Sequence, residues 1–123
     1  MKKRILSFLI LALILLAIPI NALAQTYYFS VDQEIIHVYW QADGTLALDY
    51  VIVFSNSPGA SAIDFVDIGF PNDNYNIANI TADVDGHSIL NIEDSPYVDS
   101  GVALGLGGNA IQPGQTGRVH VYV

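Results

Sequence analysis

The chain has 123 residues, 52% of them hydrophobic and 13% charged, and it contains no cysteine. That length holds one domain with a short appendage and excludes a multidomain enzyme. With no cysteine a disulfide scaffold is also excluded, so packing or bound ions must hold the fold together.

Lys2, Lys3 and Arg4 are three of the four basic side chains, and all precede the first apolar run. Residues 5–18 are apolar except for Ser7, and Pro19, Asn21 and Ala22-Leu23-Ala24 follow. A positive start, a 14-residue apolar stretch and an A-x-A end are read as a secretory signal peptide over residues 1–24, cleaved near Ala24/Gln25. The run falls short of the roughly 18–20 apolar residues that span a bilayer comfortably, and an uncleaved signal anchor is the alternative. The protein is therefore expected to be extracytoplasmic, secreted or on the cell surface.

From Gln25 onward Arg118 is the one basic side chain against twelve acidic ones, a net charge of −11. A phosphate-binding surface needs clustered Lys and Arg to release counterions, so nucleic acid is rejected as a partner, as is electrostatic docking on anionic lipid. The acidity is read as solubility and self-repulsion, with cation binding or life in high salt as the sharper alternative.

The composition of residues 25–123 is rich in Val, Ile, Tyr, Phe and Thr and poor in unbranched helix formers, which points to strands. Residues 27–40 form one β-prone run whose apolar parity changes near Gln33-Glu34, as a bulge would require. Ala42-Asp43-Gly44 is a hairpin signal, and residues 45–55 alternate cleanly, with Leu46, Leu48, Tyr50, Ile52 and Phe54 on one face. Residues 55–61 read as a loop, 63–70 as a strand ended by Pro71, and 72–74 as a polar turn. Strands are expected over 75–84, 88–92, 97–106 and 118–123, with a tight turn at Asp85-Gly86 and a flexible connection over 105–114. About seven short antiparallel strands make an all-β, immunoglobulin-like sandwich over residues 25–123. The chain stops within its last apolar alternation, which reads as a truncated ectodomain or as a terminal strand.

Few residues suggest chemistry. Gly105-Leu106-Gly107-Gly108-Asn109-Ala110 matches the dinucleotide fingerprint formally, but Pro113 leaves no room for the helix that would hold a pyrophosphate, so it is read as a loop. Asp83, Asp85 and His87 are spaced to share one strand face near a turn, where two carboxylates and an imidazole could hold a divalent cation. Oxygen ligands favour calcium over zinc there, while turn chemistry explains Asp85-Gly86 equally well. No other cofactor is expected. The remaining histidines, His37 and His120, pair with no Ser motif, and Ser100 lacks a nucleophile-elbow context, so no catalytic residue is assigned and an enzyme is not expected. Seven tyrosines and Trp40 fill sheet faces, with a sugar-stacking or protein-binding surface as the alternative.

In order along the chain, Ala42-Asp43-Gly44-Thr45, Tyr50-Val51-Ile52-Val53-Phe54, Ile68-Gly69-Phe70-Pro71, Val84-Asp85-Gly86 and Pro113-Gly114 precede a closing Val119-His120-Val121-Tyr122. This series resembles the N-terminal extracytoplasmic β-rich domain of a family of predicted prokaryotic membrane proteins of unknown function. The resemblance implies a surface domain tethered by later transmembrane helices, and it brings no catalytic residues. The expected function is thus an exported structural or binding ectodomain, a module of a larger surface protein, with loops 55–61, 72–75 and 105–114 as contact regions. Its partner would be a protein or glycan at the cell surface, and membrane contact would come only through a signal anchor or a missing C-terminal segment. The alternative is a small secreted carbohydrate- or calcium-binding module.

Overall fold

The computed structural model describes residues 26–123, so the expected signal segment and its cleavage point lie outside the described residues. Among the described residues no helix is long and apolar enough to cross a membrane. They form two antiparallel sheets. The first has the strand order β1 (Phe29–Trp40), β2 (Leu46–Asn56), β8 (Thr116–Tyr122), β4 (Thr81–Val84), β5 (His87–Ile89). The second has the order β3 (Phe65–Gly69), β7 (Gly101–Gly105), β6 (Asn91–Asp94).

The clean alternation of β2 does what period-2 patterning requires. Leu48, Tyr50, Ile52 and Phe54 are buried on its inward side. They join Ala82, Val84, Ile89, Val119 and Val121 of the same sheet and Val66, Ile68, Val102 and Leu104 of the other in one cluster. Val102, Leu104, Val119 and Val121 are wholly enclosed, which places the centre of the core between β7 and β8. Both hairpin signals form turns. Gly44 (φ 89°) sits in the β1–β2 turn, where Asp43 accepts hydrogen bonds from the Thr45 amide and hydroxyl. Asp85 (φ 51°) and Gly86 (φ 81°) supply the two left-handed residues of the β4–β5 turn. The parity change in β1 is a register shift between Val31 and Gln33, slightly earlier than expected.

Several expected strands are shorter or divided, 63–70 for example forming only β3. In 75–84 the Asn76 side chain caps the backbone N–H of Ala78 and starts a 3-10 turn at Ile77–Asn79, so strand begins at Thr81. In 97–106 the Ser95 hydroxyl accepts from the amides of Tyr97 and Val98, holding a turn until Gly101. The expected strand 88–92 divides into β5 and β6, which belong to different sheets; Leu90, 94% exposed, is the crossing point. Among the described residues eight strands therefore stand where about seven were expected.

Candidate functional site

The residues expected to hold a cation do not gather on one face. The turn at Asp85-Gly86 falls between them, so the i, i+2, i+4 spacing of a continuous strand does not apply. Asp83 pairs with Ser88 on the outward side, whereas His87 pairs with the buried Val84. Asp83 accepts from the Gly86 amide, and Asp85 accepts from the Arg118 amide at 3.0 Å, tying the turn to β8. Among the described residues no group of three or more His, Cys, Asp or Glu side chains is placed to hold a metal ion.

What the fold does assemble is a row across the outward face of the five-stranded sheet. His37 of β1 lies beside Asp49 of β2, with Nδ1 3.5 Å from Oδ2. His120 of β8 reaches Asp49 Oδ1 through Nε2 at 2.6 Å and Asp83 Oδ2 through Nδ1 at 2.8 Å. Ionised carboxylates only accept hydrogen bonds, and only the imidazolium donates from both ring nitrogens, so this geometry calls for a protonated His120. Burial is the largest single influence on His120 and opposes the charge. The hydrogen bonds and charges of Asp83 and Asp49 together outweigh it and raise the pKa above the ordinary histidine value. Both nitrogens being engaged, His120 has none left to take a proton from a hydroxyl nucleophile. Ser100 is remote from such chemistry in its own way, its Oγ enclosed without a hydrogen-bond partner.

The third feature is β1 itself. All twelve of its residues are exposed although it pairs with β2 along its whole length. Cross-strand partners share a face, so Ile36, Val38 and Trp40, opposite Tyr50, Leu48 and Leu46, point the same way as the core. They stay exposed, Trp40 at 79% and Val38 at 58%, because among the described residues the second sheet ends at β3. That β3 lies toward β1 is fixed by the Tyr50 hydroxyl donating to the Gly69 carbonyl at 3.3 Å and by the Tyr27–Phe65 ring contact at 5.6 Å. Cavities open at both ends of this uncovered strip. One of about 280 Å³ is lined by Phe29, Phe54 and Phe65, and one of about 320 Å³ by Leu46, Phe70 and Val123. Sequence patterning displays the apolar parity of β1 but carries no signal that its inward side lacks a cover.

Two of the loops expected to make contacts, 55–61 and 105–114, are stitched to each other at Asn56. Its Nδ2 donates to the carbonyls of Ser61 and Ile111, both at 2.9 Å, and its backbone carbonyl accepts from the Gly114 amide. The Gly-rich segment expected to be a loop holds a 3-10 turn at Gly107–Asn109 and no longer helix. On the outward side of β3, Phe65 stacks on the exposed ring of Tyr97 at 6.1 Å and 23°. Tyr27 meets the Phe65 edge and donates to Asp64 at 2.7 Å; burial, that hydrogen bond and the carboxylate charge push its phenol pKa up to about 12. Comparison with protein-family models, with curated proteins and with solved structures finds no match to this chain.

Proposed function

We propose that this chain is an exported binding ectodomain whose contact surface is β1, a structural or adhesive module of a larger surface protein. One observation carries the reading: a twelve-residue strand, at the sheet edge among the described residues, that exposes its inward apolar side chains together with that edge. Natural edges are blunted by Lys, Pro, bulges or inward charges. Here the bulge near Asp32 and the inward Glu34 guard the first half, while residues 35–40 (IIHVYW) carry no such device. The two sheets are taken to pack as an immunoglobulin-like sandwich in the broad sense of two facing antiparallel layers. The likeness is one of architecture, since β2 here pairs with the last strand rather than following the ABED and CFG orders of antibody constant domains. The extracytoplasmic setting rests on the N-terminal basic and apolar pattern and agrees with the ectodomain family that the sequence resembles.

The test is photocrosslinking in the native host from a reactive residue at position 38, compared with position 90, still more exposed and away from β1, as the control. A defined adduct from 38 that disappears with Ile36→Lys, in a chain that keeps its β-sheet circular dichroism, is the expected result. Equal adducts from both positions would overturn the reading. A second reading, glycan binding, is favoured by the stacked Tyr97 and Phe65 rings, which offer an exposed aromatic platform beside Asp64. Loss of glycan retention in Tyr97→Ala would support it.

A further inference from the structure

We propose that the uncovered strip between β1 and β3 receives an extended strand from a different protein, a segment of alternating apolar side chains carrying a Lys or Arg. This deepens the binding reading and rests on it.

The geometry specifies a strand. Among the described residues β3 pairs with β7 alone, so apart from the Gly69 carbonyl, which the Tyr50 hydroxyl occupies, its far edge offers backbone donors and acceptors with no neighbouring strand. A strand added there would sit about 4.8 Å beside β3 and, at the usual spacing of facing sheets, about 10 Å above β1. It would be the fourth strand of the smaller sheet, and its inward side chains would cover Phe29, Val31, Ile36, Val38 and Trp40. Their exposed surface, with that of Leu46, is roughly 700 Å², close to the ~800 Å² per partner of a standard specific interface. The two end cavities mark where larger side chains of such a strand would seat.

Charge specifies the partner. Glu34 is the inward-facing charge on β1, opposite Ile52, and near enough to Tyr50 that its carboxylate helps burial to raise the phenol pKa. Covering Glu34 without a counter-charge would strand a carboxylate in a low-dielectric layer. Among the described residues the chain's own cations are Arg118, on the outward side of β8 opposite Val53, and the His120 imidazolium, also outward and already held between Asp49 and Asp83. A second copy therefore brings no partner for Glu34 from these residues, and adds a second heavily acidic body.

Trp40 is the sole tryptophan and reports directly on coverage. The full chain is titrated with a peptide of about ten residues alternating Val and Thr with one inward Lys, with its Glu isomer, and with a scrambled peptide of equal composition. A blue shift of Trp40 emission with the Lys peptide is expected, with roughly tenfold weaker binding of the Glu isomer and none of the scrambled one. The tenfold preference should vanish in Glu34→Gln and persist in Glu93→Gln, which separates a local pair from the general attraction of an acidic protein for cations. Val38→Lys should abolish binding; Ile36→Thr, a milder change on the same exposed side, should weaken it. No blue shift, indifference to alternation, or a preference surviving Glu34→Gln would overturn the proposal. So would a concentration-dependent blue shift without peptide, which assigns the strip to a second copy, or an emission already blue at every dilution, which assigns it to the chain itself. Any of these beside a specific crosslink from position 38 leaves the β1 reading standing; a featureless crosslinking result removes both.

Discussion

Replacing His120 by glutamine tests whether the outward row is held by an imidazolium. The amide can donate to one carboxylate but turns its oxygen on the other, so the variant loses one charge-assisted hydrogen bond and the cation between Asp49 and Asp83. A hydrogen bond to a charged group contributes roughly 1.5–3 kcal/mol when shielded; with His120 about one-third exposed, screening reduces this to about 1.5 kcal/mol or less. For a domain of this size that is a melting temperature lowered by at most roughly 6–12 °C. The pKa of His120 is raised in the folded state, so its stabilisation is fully present below the unfolded value of about 6.5 and is lost as pH rises through the folded value. Urea denaturation of wild type and His120→Gln at roughly pH 6, 7, 8 and 9, at low and high salt, measures the difference. It should be largest at the lowest pH, shrink toward the highest, and fall with added salt. A difference that stays constant or grows with pH would mean a neutral ring and would refute the reasoning.

Asn56→Asp should cost more, about 3 kcal/mol at neutral pH, because a buried carboxylate replaces an amide that donates to two carbonyls. Burial and the facing carbonyls raise the new carboxyl's pKa, so the deficit relative to wild type should narrow as pH falls through it, measured by denaturation at pH 7 and 4.5. Gly117→Ala puts a Cβ 2.5 Å from Ile111 Cγ1, and the overpacking should cost about 1–3 kcal/mol. Combined with Ile111→Ala, the loss should be less than the sum of the two single losses. Leu104→Ala, wholly buried in the cluster fed by both sheets, should lower stability by roughly 2–5 kcal/mol with an unchanged far-ultraviolet spectrum.

The local features of the fold are legible in the sequence; the exposure of β1 and the histidine row are not. β2, its hairpin turn and the inward set from Leu48 to Phe54 follow from period-2 alternation and from residues that favour positive φ, both local properties. The bulge in β1 was likewise visible as a parity change. The grouping of Asp83, Asp85 and His87 shows the limit of such reasoning: spacing along a strand predicts a shared face only while the strand continues, and here it turns. His37, Asp49 and His120 are separated by up to 83 positions, and no local pattern signals that β8 inserts between β2 and β4 to bring them together.

The sequence by itself determined the β class, most strand positions, both tight turns and the acidic, cation-poor surface, since each depends on neighbouring residues or on composition alone. Only the tertiary structure decided which strands neighbour which, where the chain crosses between sheets at Leu90, and that among the described residues the smaller sheet stops short of β1. An apolar side chain is written the same way whether a second layer covers it or not. Coverage depends on the burial and hydrogen bonding gained by strands distant in the chain, and that gain exists only once both layers are in place.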